Sequence, residues 1–433
     1  MRRKFSTYWK QACEDWNYIF QDELRSIFKD SGVLIFFILV PLAYPLVYSF
    51  IYTNEVVREV PAAVVDESHT ARSREYLRKV DATPDVKIVS YCTDMDEARR
   101  LIQKRDAYGI IRIPGDFNDR LSRGEQTQVN IYCDMSGLLY YKALLVANTD
   151  ASLEMNARIK TALAGNTTDE QDRVTVYPIA YESVSLYNPQ DGFAAFLIPA
   201  VLILIIQQTL LLGVGLSAGT AREHNRFREL MPVNRHYTGL LRIVLGKGFA
   251  YILVYIPISV YVLGVVPHLF RLNQIGAPSQ LALFVVPYLL ACIFFAMTVS
   301  LMLRHRETCI MVIVFTSLPL LFISGVSWPG SALPPFWKAL SYLFPSTPGI
   351  NGFLKINNMG GTIVEAAAEW HTLWTQALVY FFTTCLGYRN SIIASRRRYI
   401  ARYKAMKQRL AASAARAASP SGPAGGSGTQ AQN

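Results

Sequence analysis

Paired cysteines are missing from this sequence. It has six cysteines in 433 residues, and no two of them form the C-x-x-C pair that is typical of zinc and redox sites. They are scattered over the chain: Cys13, Cys92, Cys133, Cys292, Cys309 and Cys385. The cysteines therefore indicate neither a zinc-binding domain nor a thiol oxidoreductase.

Signatures of catalysis are missing as well. The segment nearest to a phosphate-binding loop is GLLRIVLGKG at 239–248, but its spacing is wrong and Gly248 stands where the loop needs Ser or Thr. No G-x-S-x-G or H-E-x-x-H motif occurs, and the six histidines are dispersed. We therefore expect a chain that is not an enzyme and that holds no metal or cofactor of its own.

Charge is nearly absent from six long apolar runs. A helix of about 20 apolar residues crosses roughly 30 Å of hydrocarbon, and in lipid the backbone must bond within its own helix. We therefore expect a polytopic α-helical membrane protein with six transmembrane helices, the last of them the shortest. No charge lies at the centre of a run, which disfavours proton-coupled transport. The runs are 33–53, 193–218, 243–266, 281–303, 308–327 and 372–388.

Lys and Arg are distributed unequally between the segments that connect these runs. Segments 1–30, 217–242 and 389–433 hold six, five and nine of them, whereas 267–280 and 328–371 together hold three. By the positive-inside rule both termini are cytoplasmic, in a bacterial inner membrane. The net charge of +11 then reflects membrane topology, and since no nucleic-acid motif accompanies it, we expect no nucleic-acid partner.

The long segment 54–191 is predicted to be an α/β domain inserted between the first two membrane helices, on the extracytoplasmic side. Strands are expected at 62–65, 86–91, 109–113, 128–133 and 174–178, with a helix after Asp94 and a long one at about 138–163. Cys92 and Cys133 fall at the ends of two of these strands. The sequence leaves two alternatives open: the two cysteines form a disulfide, or they are two separate buried thiols.

The remaining segments are expected to stay at the membrane surfaces. Residues 1–30 mix aromatic and charged side chains, as in a helix that lies in the cytoplasmic interface; an ordinary helix packed on the protein's own surface is the alternative. Segment 328–371 is predicted to be re-entrant or interfacial at the outer side, with a short helix at 336–344. The tail 389–433 is basic and then disordered.

Neutral polar residues in the second membrane helix are the candidates for a pathway. Gln207, Gln208 and Thr209 lie at its middle, where they either line a pathway or bond to neighbouring helices. Gly215 and Gly219 form a small-xxx-small face at the end of the same helix.

The loop 219–242 follows this helix and contains a short charged segment. A helix of two turns is expected at 223–231, carrying an apolar knob at Phe227 or Leu230 and ended by Pro232. Such a helix suits docking into a partner, and a solvated turn is the alternative. The charged residues around the knob are Glu223, Arg226, Arg228 and Glu229.

The order of these features resembles the type 2 permeases of ATP-binding-cassette (ABC) exporters, up to about residue 400. The most telling stretches are QQTLLLGVGLSAGTAREHNRFRELMPV at 207–233 and FISGVSWPGSALPPFWKALSYLFPSTPGINGF at 322–353. The loop departs from the family pattern, which often has further acidic residues and a Gly-Thr where this chain has NRFR at 225–228.

The resemblance implies a membrane subunit driven by a separate ABC ATPase, which would bind the ATP. Two permeases, of the same chain or of a paralogue, would form the pathway, with helices two and five nearest the dimer axis. Segment 1–30 would be the connecting helix, and 223–231 the coupling helix. Ser324, Gly325, Trp328 and Pro329 would belong to the outer gate, and a membrane-fusion protein would meet the inserted domain. The alternative is a membrane scaffold like the phage-infection proteins, whose insertions are usually much longer.

Overall fold

The computed structural model describes residues 2–165, 168–177, 179, 184–189, 191–224, 230, 237, 239–303 and 305–418. The chain divides into two compact units. One is Asn54–Phe193, and the other combines Met1–Thr53 with Ala194–Asn433.

Two helices open the chain. Helix α1 spans Arg2–Lys29. Helix α2 spans Ser31–Ile51 and contains one π-helical turn at Ile35–Leu39. Asp30 separates the two helices, because its extended backbone breaks the first and its carboxylate accepts hydrogen bonds from the N–H groups of Gly32 (2.9 Å) and Val33 (3.3 Å), which start the second.

The Asn54–Phe193 unit is built on a four-stranded sheet. Along the chain it contains β1 (Val60–Asp66), α3 (Ala71–Asp81), β2 (Val86–Tyr91), α4 (Met95–Lys104), β3 (Gly109–Ile113), α5 (Phe117–Ser122), β4 (Asn130–Cys133), α6 (Leu138–Ala164) and α7 (Asp169–Val176). The sheet order is β2-β1-β3-β4, with β1 parallel to both neighbours and β4 antiparallel to β3.

Both faces of the central strand β1 are buried. Val60, Ala62 and Val64 face one core, where α3 and α6 pack, and Ala63 and Val65 face a second core formed with α4. Burial on both sides explains the continuous apolar run of this strand, as is usual for parallel sheets.

One predicted strand of this unit is wrong. Segment 174–178 was expected to be extended, but α7 occupies Asp169–Val176. A capping box starts this helix, because the Thr168 hydroxyl accepts from the N–H of Gln171 and the Gln171 side chain accepts from the N–H of Thr168. The other four predicted strands are present, with β1 longer than expected and β4 beginning two residues later.

Four more long apolar helices follow in the second unit: α8 (Phe193–His224), α9 (Leu240–Leu269), α10 (Pro278–Met302) and α11 (Arg306–Ile323). Together with α2 they are the five helices, among the described residues, that are long and apolar enough to cross a membrane. Every residue of α8 from 198 to 220 is buried, so this helix is the centre of the bundle.

Among the described residues, three α-helices complete the unit, and a π-helical turn at Leu354–Asn358 continues the second of them: α12 (Pro335–Ser341), α13 (Ser346–Phe353) and α14 (Ala367–Ala418). The predicted sixth crossing, 372–388, lies inside the 52-residue α14. It is not among the five apolar helices, since residues such as Gln376, Thr383 and Thr384 dilute its apolar character. A sixth crossing therefore stays a prediction.

Segment 328–371 enters the core of the bundle. The expected short helix is present as α12, and a second helix that the sequence did not predict, α13, is buried from Ser346 to Ile350. Gly349 permits this burial, because a Cβ at its position would lie 2.5 Å from the ring of Tyr288 and 3.3 Å from Ile203.

Candidate functional site

Four acidic residues of α1 and its end reach the same group of bundle helices. Asp15, Asp22, Glu23 and Asp30 are spaced so that they share one face of a helix, and Ile19 and Ile27 on that side are fully buried. We call these four residues and their partners the α1 clamp. The partners are Ser217, Thr220, Tyr237, Arg242, Lys247, Tyr251 and Arg306.

Glu23 is the most deeply buried member of the clamp. Its carboxylate pairs with the Lys247 ammonium, and the two side chains are 5 % and 8 % exposed. It also accepts hydrogen bonds from Ser217 Oγ at 2.9 Å and from the Tyr251 hydroxyl. Burial alone would raise the pKa of Glu23, but Lys247 and the two hydroxyl donors outweigh it and hold this pKa below its usual value. The carboxylate is therefore ionised at neutral pH.

Asp30 joins α1 to two further helices. Besides starting α2, its carboxylate accepts from Thr220 Oγ1 of α8 at 2.6 Å and from Arg306 Nη2 of α11 at 2.9 Å. Burial raises the pKa of Asp30, and the bonds from Thr220 and Arg306 lower it further than burial raises it. Arg306 also lies 3.9 Å from Glu223 at the end of α8.

Asp15 and Asp22 complete the clamp. Arg242 of α9 lies 2.6 Å from Asp15, and the Tyr237 hydroxyl donates to Asp22 at 2.7 Å. Burial and the Asp22 carboxylate raise the pKa of Tyr237, so its hydroxyl remains a donor. The clamp thus fixes α1 to α8, α9 and α11 through charged or charge-assisted bonds.

The sequence did not indicate this site. Lys247 lies near the start of an apolar run and not at its centre, and it is buried two turns inside α9, opposite an acid of the segment assigned to the membrane interface. A lone lysine in an apolar run needs an anionic partner, and acids spaced at 15, 22, 23 and 30 could have supplied it. Helix α1 packs on the protein's own bundle, and its place in the cytoplasmic interface of the membrane stays a prediction.

Small residues let α11 approach α8 beside the clamp. A Cβ at Gly215 would lie 2.1 Å from Cys309 Sγ, and one at Gly219 would lie 2.8 Å from Arg306 Cγ. The small-xxx-small face expected in this helix is therefore the surface on which α11 packs.

The predicted coupling segment is only partly described. Glu223 lies at the end of α8, and its side chain is half exposed. Leu230 is 3 % exposed and packs in the bundle core, so it is not an exposed apolar knob in this structure, and its contact with an ATPase stays a prediction. The remaining residues of the prediction, Arg226, Phe227, Arg228 and Glu229, lie outside the described residues.

The three polar residues at the middle of α8 face the interior of the bundle. Gln207, Gln208 and Thr209 are 1 %, 8 % and 5 % exposed, so they do not line an open pathway in this conformation. Thr209 bonds to the carbonyl of Ile205 at 2.7 Å. Neither glutamine side-chain amide has a hydrogen-bond partner among the described residues. A buried polar group without a hydrogen bond destabilises a fold by about 1–3 kcal/mol.

The predicted gate residues lie together at the end of α11. Ser324 is buried and donates to the carbonyl of Leu321 at 2.6 Å. Gly325 has a φ of +92°, a left-handed conformation that favours glycine, and the chain turns there. Trp328 and Pro329 are exposed.

The structure keeps the two cysteines of the sheet apart. Cys133 ends β4 and Cys92 follows β2, and these are the two edge strands, with β1 and β3 between them. Three strand spacings of about 4.8 Å are too far for a disulfide, and both thiols are free. The fold therefore supports the second alternative, in which Cys92 and Cys133 are two separate thiols.

The described residues thus form a bundle with five helices that are long and apolar enough to cross a membrane, which is consistent with a polytopic membrane protein. A family model described as ABC-2 family transporter protein matches residues 31–386. The chain belongs to this family.

Two relatives resemble the chain over most of its length. It is 20 % identical to "Probable multidrug ABC transporter permease YbhR" of Escherichia coli strain K12 over 377 residues, which cover 86 % of this chain and 96 % of that protein. It is 22 % identical to "Linearmycin resistance permease protein LnrN" of Bacillus subtilis strain 168 over 372 residues, which cover 79 % of this chain and 91 % of that protein.

Proposed function

We propose that this chain is the membrane subunit of an ABC exporter, that it forms the translocation pathway as a dimer, and that a separate ATPase chain drives it. The observation that carries the proposal is the family match, which runs through all five apolar helices. The chain itself would bind no nucleotide, since its nearest approach to a phosphate loop lies within helix α9. Two copies, or this chain and a paralogue, would assemble in the bilayer.

The α1 clamp supports a mechanical role for the first helix. A partner that moves α1 would pull on α8 through Glu23 and Asp30, on α9 through Glu23 and Asp15, and on α11 through Asp30. Polar contacts of this kind transmit displacement better than apolar ones, because a small shift leaves a buried charge without its partner, at a cost of about 3–5 kcal/mol.

The orientation follows from the Lys and Arg distribution. We place both termini and the clamp in the cytoplasm of a bacterium, and the Asn54–Phe193 unit outside the inner membrane, where a membrane-fusion protein would meet it. Single cysteines at Ser6 and Thr127 test the orientation. The first should react with a membrane-impermeant reagent only from the cytoplasm, and the second only from outside.

The substrate class that we propose is amphipathic drugs. The two relatives are named for multidrug transport and for linearmycin resistance. Rotation of α8 would bring the unpartnered amides of Gln207 and Gln208 to the pathway, where they would find hydrogen-bond partners, and Ser324 and Gly325 would belong to the outer gate.

Phe227→Ala tests the coupling to the ATPase. We expect it to leave expression and membrane insertion intact but to weaken co-purification of the ATPase by tenfold or more, since truncating an interface anchor typically costs about 2 kcal/mol. Host tolerance to a panel of amphipathic antibiotics should fall with it. Tyr91→Ala is the matched control, because it removes an aromatic ring that is 64 % exposed in the other unit.

Two results would count against the proposal. Normal ATPase binding and drug tolerance in the Phe227→Ala variant would place the coupling elsewhere in the chain. Failure of the unmodified chain to co-purify with any ATPase would reject the exporter and favour the membrane scaffold.

A further inference from the structure

The last helix continues well beyond the part of the chain that the family model matches. The match ends at residue 386, but α14 runs to Ala418. At 1.5 Å per residue, 389–418 adds roughly 45 Å of helix. Among the residues of this helix whose burial the structure describes, Ser395, 4 % exposed, is the last buried one, and the described side chains from 396 to 411 are exposed. Burial against the bundle therefore holds the helix as far as Ser395.

This extension is uniformly basic. The sequence has no Asp or Glu after Glu369, so the extension has no acid of its own to pair with its cations. Nine positive side chains occur within 28 residues: Arg389, Arg396, Arg397, Arg398, Arg402, Lys404, Lys407, Arg409 and Arg416.

The same stretch carries an apolar stripe. At 100° per residue, five apolar side chains fall within an arc of about 140°. They are exposed by 40 to 61 %: Ile393, Ile400, Tyr403, Met406 and Leu410. Basic residues flank the arc and in two places interrupt it. A basic helix with one apolar face is the pattern of a helix that lies on an anionic membrane surface.

We propose that segment 389–411 binds the anionic phospholipid headgroups of the leaflet next to the end of α14. The helix would turn onto the surface after Ser395, with the apolar stripe against the acyl boundary and the arginines on the phosphates. The positive charge of this segment indicates that it binds acidic lipid and not a second copy of the chain. Clusters of four to eight Lys or Arg beside a membrane helix bind acidic lipid, whereas a coiled coil with a second copy would align nine cations per chain with no acid at the flanking positions.

Chymotrypsin reports on this contact directly, because it cleaves after aromatic residues, Leu and Met, and the stripe contains Tyr403, Met406 and Leu410. The full-length protein, with an epitope at its C-terminus, is placed in nanodiscs of phosphatidylcholine alone or with 40 mol % phosphatidylglycerol. We expect cleavage at 399–410 to be about tenfold slower in the anionic discs. The difference should disappear in 1 M NaCl, where the Debye length is about 3 Å.

The triple variant Arg396→Gln, Arg397→Gln, Arg398→Gln keeps every chymotrypsin site and should lose most of the protection. A matched triple in the α/β unit, Arg99→Gln, Arg100→Gln and Lys104→Gln, removes the same number of positive charges and should keep the protection.

Each alternative has its own signature in this assay. Equal cleavage in the two kinds of disc overturns the proposal. Equal protection in both discs and in detergent shows pairing with a second copy, and protection that requires an added acidic protein shows a protein partner; both reject lipid as the occupant. None of these outcomes depends on whether the chain is driven by an ATPase, so the proposed function is tested separately.

Discussion

Removing one member of the buried Glu23–Lys247 pair should destabilise the bundle far more than removing both. Glu23→Leu leaves the Lys247 ammonium, the Tyr251 hydroxyl and the Ser217 hydroxyl without their common acceptor. Lys247→Met leaves a buried carboxylate with two neutral donors. Breaking a buried pair from one side typically costs about 3–5 kcal/mol, and we expect that cost for each variant.

The double variant Glu23→Gln with Lys247→Met removes both charges and keeps the geometry. The glutamine oxygen still accepts from Ser217 and Tyr251, so we expect a loss of no more than about 2 kcal/mol. The double variant should therefore be more stable than either single variant, with a coupling free energy of several kcal/mol.

Thermal unfolding of the protein in detergent, followed by size-exclusion chromatography, measures the difference. With an unfolding entropy of about 2.1 cal/mol/K per residue, 3–5 kcal/mol lowers the Tm of a chain of this length by roughly 3–5 °C. Arg99→Gln is the control, because its pair with Asp96 is exposed on both sides (64 % and 76 %) and contributes little. Single variants within about 1 °C of the unmodified protein, or a double variant that loses the sum of the two, would refute the reasoning.

Two further predictions follow from packing and from titration. Gly213→Ala should lower the free energy of unfolding by about 1–3 kcal/mol, because the new Cβ would lie 1.5 Å from the ring of Phe37. Gly264→Ala is the control and should be neutral in the same melting assay, because its Cβ would meet nothing within 4 Å. Equal melting temperatures of the two variants would contradict the packing of Gly213 against Phe37. The pKa values of Glu23 and Asp30 are lowered in the fold from 4.5 and 3.8, so the native state binds fewer protons, and its extra stability is present above about pH 4.5 and lost as the pH falls below it. A Tm that stays level from pH 6 to pH 3.5 would exclude this linkage.

Local sequence patterns predicted most of the helices and strands, but they did not predict the α1 clamp. The apolar runs predicted α2 and α8 to α11, since twenty uncharged residues have few other solutions. Short β-branched runs predicted the strands of the α/β unit. The predicted strand at 174–178 is helical instead, because the capping box at Thr168 starts a helix there, and a β-branched run contains no information about such a cap.

The α1 clamp could not be predicted from local sequence patterns. Its bonds join residues that lie 190 to 276 positions apart, and no periodicity records which acid meets which cation. For the same reason the sequence did not predict the burial of Leu230 and of α13: contacts such as that of Gly349 with the distant Tyr288 leave no local pattern.

The long reach of the clamp sets an order of events during synthesis. Asp30 leaves the ribosome 190 residues before Thr220 and 276 residues before Arg306. At about 5–20 residues per second, the second interval lasts roughly 14–55 s. Until residues 217–251 have been made, the acids of α1 lack the partners that α8, α9 and Tyr237 supply, and Asp30 lacks Arg306 until the end of the second interval. Docking of the first helix can thus be completed only once α11 has begun to form, and a chain that stops before residue 306 never completes it.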